Sequence, residues 1–293
     1  MINNSIQNTL KTLLRSLVFY FICVICIGSV THCWAVERQK VNDNGLVATY
    51  YYKKDSIQQP PVILFGGSSG GNFYDNYQNY PEDLVDLGYS VLSLAYFDYN
   101  SSGEFPNKLR HIPLEYFKKA MDWMENQPQT SKGRFAVIGS SRGAEAALLL
   151  AIQYPEISTV IAIVPSAYVG GAYDNKRKVS GAAWTLEGKE IPYVDYQKAV
   201  ANYKPWWKII EHKEEVEPFA IPVENMSAAV LLLSGEKDAI WPSTEMSETI
   251  IRRLEKNLYE FPSQHISYDA GHNIKVESWP DLLLFLQKNY PNK

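Results

Sequence analysis

A chain of 293 residues, 46% hydrophobic and 20% charged, has the size and composition of one sizeable globular domain or two small ones. A formal net charge of −4, with no Lys/Arg-rich tract, argues against nucleic acid as a partner. All three cysteines, Cys23, Cys26 and Cys33, precede residue 34, which excludes a cysteine nucleophile, a disulfide or a Cys-ligated metal from the rest of the chain.

Lys11 and Arg15 stand before an uncharged apolar run, Leu17 to Val30, and Cys33-Trp34-Ala35 offers a small-x-small cleavage site. The pattern predicts a signal peptide over residues 1–35, cut after Ala35, and an exported protein, periplasmic or secreted. The uncharged run over residues 16–36 is also long enough to span a bilayer. An uncleaved anchor is therefore the alternative, and the only membrane association expected. A lipoprotein signal at Cys33 is a third reading, which His32 fits poorly in place of the usual small residue.

From Val36 the chain begins with a polar lead. Leu46-Val-Ala-Thr-Tyr-Tyr-Tyr52 is rich in β-formers and predicts an early antiparallel strand, broken at Pro60-Pro61. Val62-Ile-Leu-Phe65 is wholly apolar, the mark of a central parallel strand covered on both faces. It runs into Gly66-Gly67-Ser68-Ser69-Gly70-Gly71, where glycines let the backbone approach a ligand closely. A phosphate loop would need a following Lys-Ser/Thr or the dinucleotide spacing, and both are missing. A helix over Tyr80 to Leu87 stops at Gly88, and a buried strand follows over Ser90 to Tyr96. Pro113 to Asn126 carries Tyr116, Ala120, Met121 and Met124 at helical spacing and ends before Pro128.

Phe135-Ala-Val-Ile138 leads into Gly139-Ser140-Ser141-Arg142-Gly143 and an Ala/Leu-rich helical run to about Tyr154. Gly-x-Ser-x-Gly between a buried strand and a helix is the layout of a nucleophile elbow. The glycines remove side chains that would collide in so sharp a turn. The turn exposes the Ser141 hydroxyl and aims the Arg142 N–H at the same point from the helix N-terminus. The plainer alternative is a packing turn in which Ser141 is only the N-cap. Thr159 to Val164 is a further apolar strand, stopped by Pro165.

From Ser166 to Ser227 the alternation stops. A structureless loop of that length is uncommon inside a domain. The stretch reads as a cap, an excursion over the carboxyl edge of the sheet with some helix of its own, with a small second domain as the alternative. Alternation resumes with a strand over Ala228 to Leu233, a helix from about Thr244 to Lys256, a strand at Ile266 to Tyr268 and a closing helix from Trp279 to Lys288. The fold class is therefore α/β: over residues 36–293, one mostly parallel sheet with helices on both faces, interrupted by the cap at about 166–227.

A serine hydroxyl is a weak nucleophile until a base is held beside it, usually a His fixed by a carboxylate. Asp238 lies just past one apolar strand, in Leu231-Leu-Leu-Ser-Gly-Glu-Lys-Asp238, and His272 just past another, in Ala270-Gly-His-Asn273. The chain order Ser–Asp–His is that of α/β hydrolases. Ser141, Asp238 and His272 are the candidate nucleophile, acid and base. Glu236 and Asp269 are lesser candidates for the acid, and His265 falls within a strand as a packing or surface residue. The oxyanion donors expected are the backbone N–H of Arg142 and one from Ser68 or Ser69. Trp184, Trp206, Trp207 and Trp241 are candidates to line an acyl pocket, the plainer reading being that they anchor the excursion. The four remaining histidines, His111, His212, His265 and His272, are not at metal-ligand spacing, and neither a metal nor an organic cofactor is expected.

Several of these stretches resemble one family. They are Leu87-Gly-Tyr-Ser-Val-Leu-Ser-Leu-Ala-Tyr96, Pro113-Leu-Glu-Tyr-Phe117, Gly139-Ser-Ser-Arg-Gly-Ala-Glu145, Ala183-Trp-Thr-Leu-Glu-Gly-Lys189, Ser234-Gly-Glu-Lys-Asp-Ala-Ile-Trp-Pro-Ser243 and Ala270-Gly-His272. Together they look like the carboxyl-terminal domain of acyl-CoA thioesterases and bile acid-CoA:amino acid N-acyltransferases. The resemblance implies an α/β-hydrolase fold and a nucleophile–Asp–His triad on Ser141, Asp238 and His272. Animal members usually carry an amino-terminal β-sandwich. Only about 25 residues separate the expected cleavage site from the first central strand, so that domain is expected to be absent. The amino-acid-transferring members use Cys as nucleophile, whereas this chain has Ser141, which favours water as the acceptor. The function expected is a serine hydrolase acting on small-molecule acyl esters or thioesters. The alternatives are an acyltransferase with an amine or hydroxyl acceptor, and an exported non-catalytic binding protein on the same fold.

Overall fold

The computed structural model describes residues 35–292, apart from 77–78, 175 and 177–178. The expected export signal therefore lies outside the described residues, save for Ala35. Among the described residues no helix is long and apolar enough to cross a membrane.

In chain order the strands are β1 (Val36–Asp43), β2 (Leu46–Lys53), β3 (Pro61–Phe65), β4 (Ser90–Ala95), β5 (Ile112–Pro113), β6 (Phe135–Ser140), β7 (Ile157–Ile163), β8 (Trp184–Leu186), β9 (Lys189–Glu190), β10 (Ala229–Gly235) and β11 (Ser263–Tyr268). The helices are α1 (Tyr80–Asp86), α2 (Leu114–Glu125), α3 (Arg142–Gln153), α4 (Tyr196–Asn202), α5 (Lys213–Val216), α6 (Ser243–Lys256) and α7 (Lys275–Asn289). The main sheet has eight strands in the order β1-β2-β4-β3-β6-β7-β10-β11. From β4 to β11 every pairing is parallel, while β2 pairs antiparallel with both β1 and β4.

The apolar runs became strands because both sheet faces are covered. β3, β4, β6 and β10 are buried along their whole length. Successive side chains alternate between two cores. Ile63 and Phe65 join α2, α3 and α6 on one face, with Val194, Ile209 and Val216 of the excursion. Val62 and Leu64 join α1 and α7 on the other. α3 is apolar almost all round, with Ala144 to Ala151 buried, because the sheet covers one side and the excursion another.

Three boundaries differ from expectation, one of them that of β11, which starts at Ser263 rather than Ile266 and has no buried residue. The expected polar lead at Val36 is an edge strand, β1, paired with β2 from end to end. Only Val41 of it is buried, so it shows no apolar pattern. α7 starts at Lys275 rather than Trp279, with Pro280 inside its second turn.

Sequential strands β3 and β4 step one way across the sheet, and the chain then crosses back to place β6 on the other side of β3. The carboxyl ends of β3 and β6 thus flank the point where the winding reverses, which is where open α/β sheets bind ligands. The excursion leaves β7 and returns at β10. Its β8 and β9 join β5 in a separate three-stranded sheet.

Candidate active site

Ser140 ends β6 and Arg142 begins α3, so Ser141 alone makes the turn, at φ 57° and ψ −118°. That is a strained conformation for a residue with a Cβ. A methyl on Gly139 would overlap the Gly143 carbonyl, and one on Gly143 the Gly66 carbonyl. Both flanking positions are glycine because the backbones touch. The Ser141 N–H donates to Ile163 O (2.8 Å), and Ser141 O accepts from the Ala144 N–H (2.9 Å). Strand and helix thus grip the turn from either side.

β10 and β11 pair in parallel, so the loops that follow them emerge side by side. His272 Nε2 lies 3.0 Å from Ser141 Oγ, and His272 Nδ1 lies 2.8 Å from Asp238 Oδ2. The Asp238 side chain is fully buried (0% exposed), while His272 is about a quarter exposed (25%). Asp238 Oδ1 also accepts from the Ile240 N–H (2.9 Å) and the Trp241 N–H (3.3 Å). Burial pushes the Asp238 carboxyl up. The hydrogen bond and charge of His272, with Ser243 and the Ile240 N–H, outweigh burial and hold it below the usual value. An ionised carboxylate on Nδ1 keeps the proton there, which leaves Nε2 free to accept from the serine hydroxyl. The lesser acid candidates are engaged elsewhere. Glu236 accepts from Ser267 Oγ (2.7 Å), and Asp269 pairs with Lys237 (2.5 Å), both exposed.

The glycine-rich loop after β3 comes to the same place. A methyl on Gly67 would stand 2.8 Å from Ser141 Cβ. Two tyrosines hold its carbonyls: Tyr96 Oη donates to Gly66 O (2.9 Å) and Gly67 O (3.3 Å), and Tyr99 Oη to Ser68 O (2.8 Å). In a planar trans peptide the N–H points opposite to the C=O. Fixing Gly67 O therefore turns the Ser68 N–H away from Tyr96. Ser69 stands at the exposed part of the loop. The Arg142 N–H belongs to the first turn of α3, where amides have no intrahelical acceptor.

The four tryptophans separate. Trp241 packs edge-on against the His272 ring (centroids 5.4 Å apart, 80°) and donates its indole N–H to Val164 O (3.2 Å). Trp184 is fully buried and packs on Tyr96 and Phe117, with its indole N–H on Glu145 Oε1 (2.6 Å). Its ring thus lies within the core against which the excursion packs. Trp207 is half-buried against the same core. Trp206 begins a short 3-10 turn, and its side chain lies outside what is described.

Sequence reasoning missed the side chain of Arg142 and its partner Glu145. Both are buried, with guanidinium and carboxylate 2.8 Å apart, directly beneath the elbow. The i,i+3 spacing signals a pair, but such pairs are usually exposed. His265, read as a packing residue, lies in β11 with Nε2 2.7 Å from Ser234 Oγ. Among the described residues no three His, Cys, Asp or Glu side chains converge on a possible metal position.

Residues 112–290 match the family described as BAAT / Acyl-CoA thioester hydrolase C terminal. The chain belongs to this family. It is 27% identical over 201 residues to acyl-coenzyme A thioesterase 1 of Mus musculus, covering 67% of this chain and 45% of that protein. It is 25% identical over 200 residues to acyl-coenzyme A amino acid N-acyltransferase 1 of the same species, covering 66% and 44%. The matched part thus spans less than half the length of these relatives. Among solved structures, an esterase of Pyrococcus furiosus superposes with a TM-score of 0.57 at 16% identity, covering 87% of this chain and 91% of that one. That likeness shows the α/β-hydrolase fold. Within the family's match fall Ser141, Asp238 and His272, while the Gly66–Gly71 loop precedes it.

Proposed function

We propose that this member of the family is a serine hydrolase that cleaves acyl esters or thioesters through an acyl-enzyme on Ser141. The observation that carries the reading is one imidazole within hydrogen-bond reach of both a strained elbow serine and a buried carboxylate. In this reading His272 Nε2 takes the Ser141 proton as Oγ attacks the acyl carbon. Asp238 holds the tautomer and stabilises the imidazolium. The Arg142 and Ser68 N–H groups receive the developing oxyanion. The intermediate collapses as His272 returns the proton to the leaving alcohol or thiol, and water then repeats the sequence on the acyl-enzyme. A serine ester is readily hydrolysed, which favours water over an amine as the acceptor.

The experiment is turnover of p-nitrophenyl esters and acyl-CoA thioesters of graded chain length by the protein lacking residues 1–35. Ser141→Ala serves as control. We expect hydrolysis of at least one class, abolished in the variant. Activity undiminished in Ser141→Ala overturns the reading. The panel spans both classes because an exported enzyme would meet esters sooner than cytoplasmic thioesters. Serine-directed fluorophosphonates should inactivate the protein.

A further inference from the structure

Two backbone donors hold an oxyanion only when their separation matches it. Here they belong to different elements: the Arg142 N–H to α3 and the Ser68 N–H to the loop after β3. A buried network joins the two. The Arg142 side chain is 2% exposed and its Glu145 partner 0%. Arg142 Nη1 donates to Tyr196 Oη (2.5 Å), and Nη2 to Gly170 O (2.8 Å) and Gly171 O (3.1 Å). Glu145 Oε1 accepts from the Gly170 N–H (3.0 Å) and the Trp184 indole N–H (2.6 Å). The Trp184 ring packs 5.6 Å from that of Tyr96, centroid to centroid. Tyr96 Oη in turn holds Gly66 O and Gly67 O. A line of contacts therefore runs from the side chain of one donor residue, through Glu145, Trp184 and Tyr96, to the carbonyls that orient the other donor.

Stability is a poor reason for such a pair. Removing two charges from water costs about as much as their attraction returns, and apolar replacements of similar volume are often neutral or better. Five directional bonds, to Tyr196, Gly170, Gly171 and Trp184, supply what apolar packing lacks, a fixed geometry. We propose that the Arg142–Glu145 ion pair is a positioning pair that sets the separation of the two oxyanion donors and seats Gly170–Gly171 of the excursion beside them. The proposal rests on the serine-hydrolase reading above.

The test compares the parent with Arg142→Met/Glu145→Leu, Tyr96→Phe and Ser141→Ala. Thermal melting, kcat and KM on one p-nitrophenyl ester, and the rate of fluorophosphonate inactivation are measured for each. The double variant should melt cooperatively but below the parent, because Gly170, Gly171, Tyr196 and Trp184 lose buried polar partners. It should lose about ten- to a hundredfold in kcat, with KM within about twofold. Inactivation should slow in parallel. Tyr96→Phe removes only the hydroxyl that holds the loop, and should show a smaller loss of the same kind. A folded double variant or a Tyr96→Phe with parental kcat overturns the proposal, as does a loss confined to KM. If the double variant does not fold, Tyr96→Phe decides alone. An active Ser141→Ala overturns the serine reading and this proposal with it. An inactive Ser141→Ala beside a fully active Tyr96→Phe overturns this proposal only.

Discussion

The loops that carry Ser68, Ser141, Asp238 and His272 each leave the end of a parallel strand, whereas the excursion between Val164 and Ala229 adds no strand to the main sheet. The loops are rooted on β3, β6, β10 and β11, so the sheet itself aligns them. The excursion contains helices of seven and four residues, α4 and α5, and paired segments of two or three residues. Helices so short do not hold themselves in water. They are held by anchors to the rest of the molecule. Arg142 and Glu145 grip Gly170 and Gly171, and Arg253 of α6 forks onto Glu224 at 2.5 and 2.7 Å. Changes in the strand-end loops should therefore remove activity before stability, and changes in the excursion should remove stability first.

The largest expected effect tests the loops. Ser141→Ala, Asp238→Asn and His272→Ala should each lower kcat by about 10⁴ to 10⁶, with melting temperatures close to the parent. Combining either of the last two with Ser141→Ala should add little if, as proposed, the three act as a unit. Steady-state kinetics and calorimetry on the same preparations check both halves of the statement. If Glu236→Gln proved worse than Asp238→Asn, the wrong carboxylate has been placed beside His272.

The same division governs what could be read from the sequence. β6, β7 and β10 are runs of apolar residues, and a run buried on both faces announces itself. Ser141 and Asp238 were legible because each follows such a run, whereas His272 follows an edge strand, β11, with no buried residue, and was legible only from its place after Ser141 and Asp238 in the chain order. β1 was not, because an edge strand with one buried residue has no pattern. The first turn of α7, Lys275 to Ser278, was hidden because Pro280 reads as a helix start. The burial of Arg142 and Glu145 was invisible for a deeper reason. Their spacing is that of a surface pair until Gly170, Trp184 and Tyr196, 25 to 54 positions away, close over them.

The next effect tests the excursion. A methyl on Gly170 would overlap both Arg142 Nη1 and Tyr196 Oη. Neither can retreat, because both belong to the buried network. Gly170→Ala should destabilise by about 3 kcal/mol or more, read as a lowered denaturation midpoint. Any activity left in the folded fraction should decline across all acyl lengths together. A variant as stable as the parent would mean that the excursion is held elsewhere.

Two tryptophans sharpen the contrast at smaller cost. Trp184→Phe keeps the ring in the core but takes the indole N–H from Glu145, leaving a buried acceptor short by one donor. The expected loss is about 1–3 kcal/mol, equal for short and long acyl substrates. Trp241→Phe leaves an aromatic edge beside His272 but removes the bond to Val164 O. Its loss should fall more on kcat than on melting. Equal effects of the two variants on both readouts would erase the distinction between anchor and site.

The smallest expected effect concerns a residue that belongs to neither region. His265 lies on the edge strand β11, with Nε2 2.7 Å from Ser234 Oγ, which is itself 3.0 Å from Thr244 Oγ1. Burial lowers its pKa below the free value of 6.5, against a weaker opposing pull from the Glu248 carboxylate. The folded protein therefore keeps the ring neutral where the unfolded chain has begun to take up a proton. Below about pH 6.5 the unfolded state binds more protons, so stability falls as pH falls. Above that pH the contribution is complete and flat. His265→Gln retains a polar partner for Ser234 but cannot titrate. Its melting temperature should decline less than that of the parent between pH 6.5 and the folded pKa, and run parallel to it at higher pH. The pH–rate profile should be unchanged, because it is His272, not His265, that touches Ser141. A displaced acid limb in His265→Gln would show that the sheet edge couples to the site. Melting curves that remain parallel over the whole range would remove His265 as a contributor to the pH dependence.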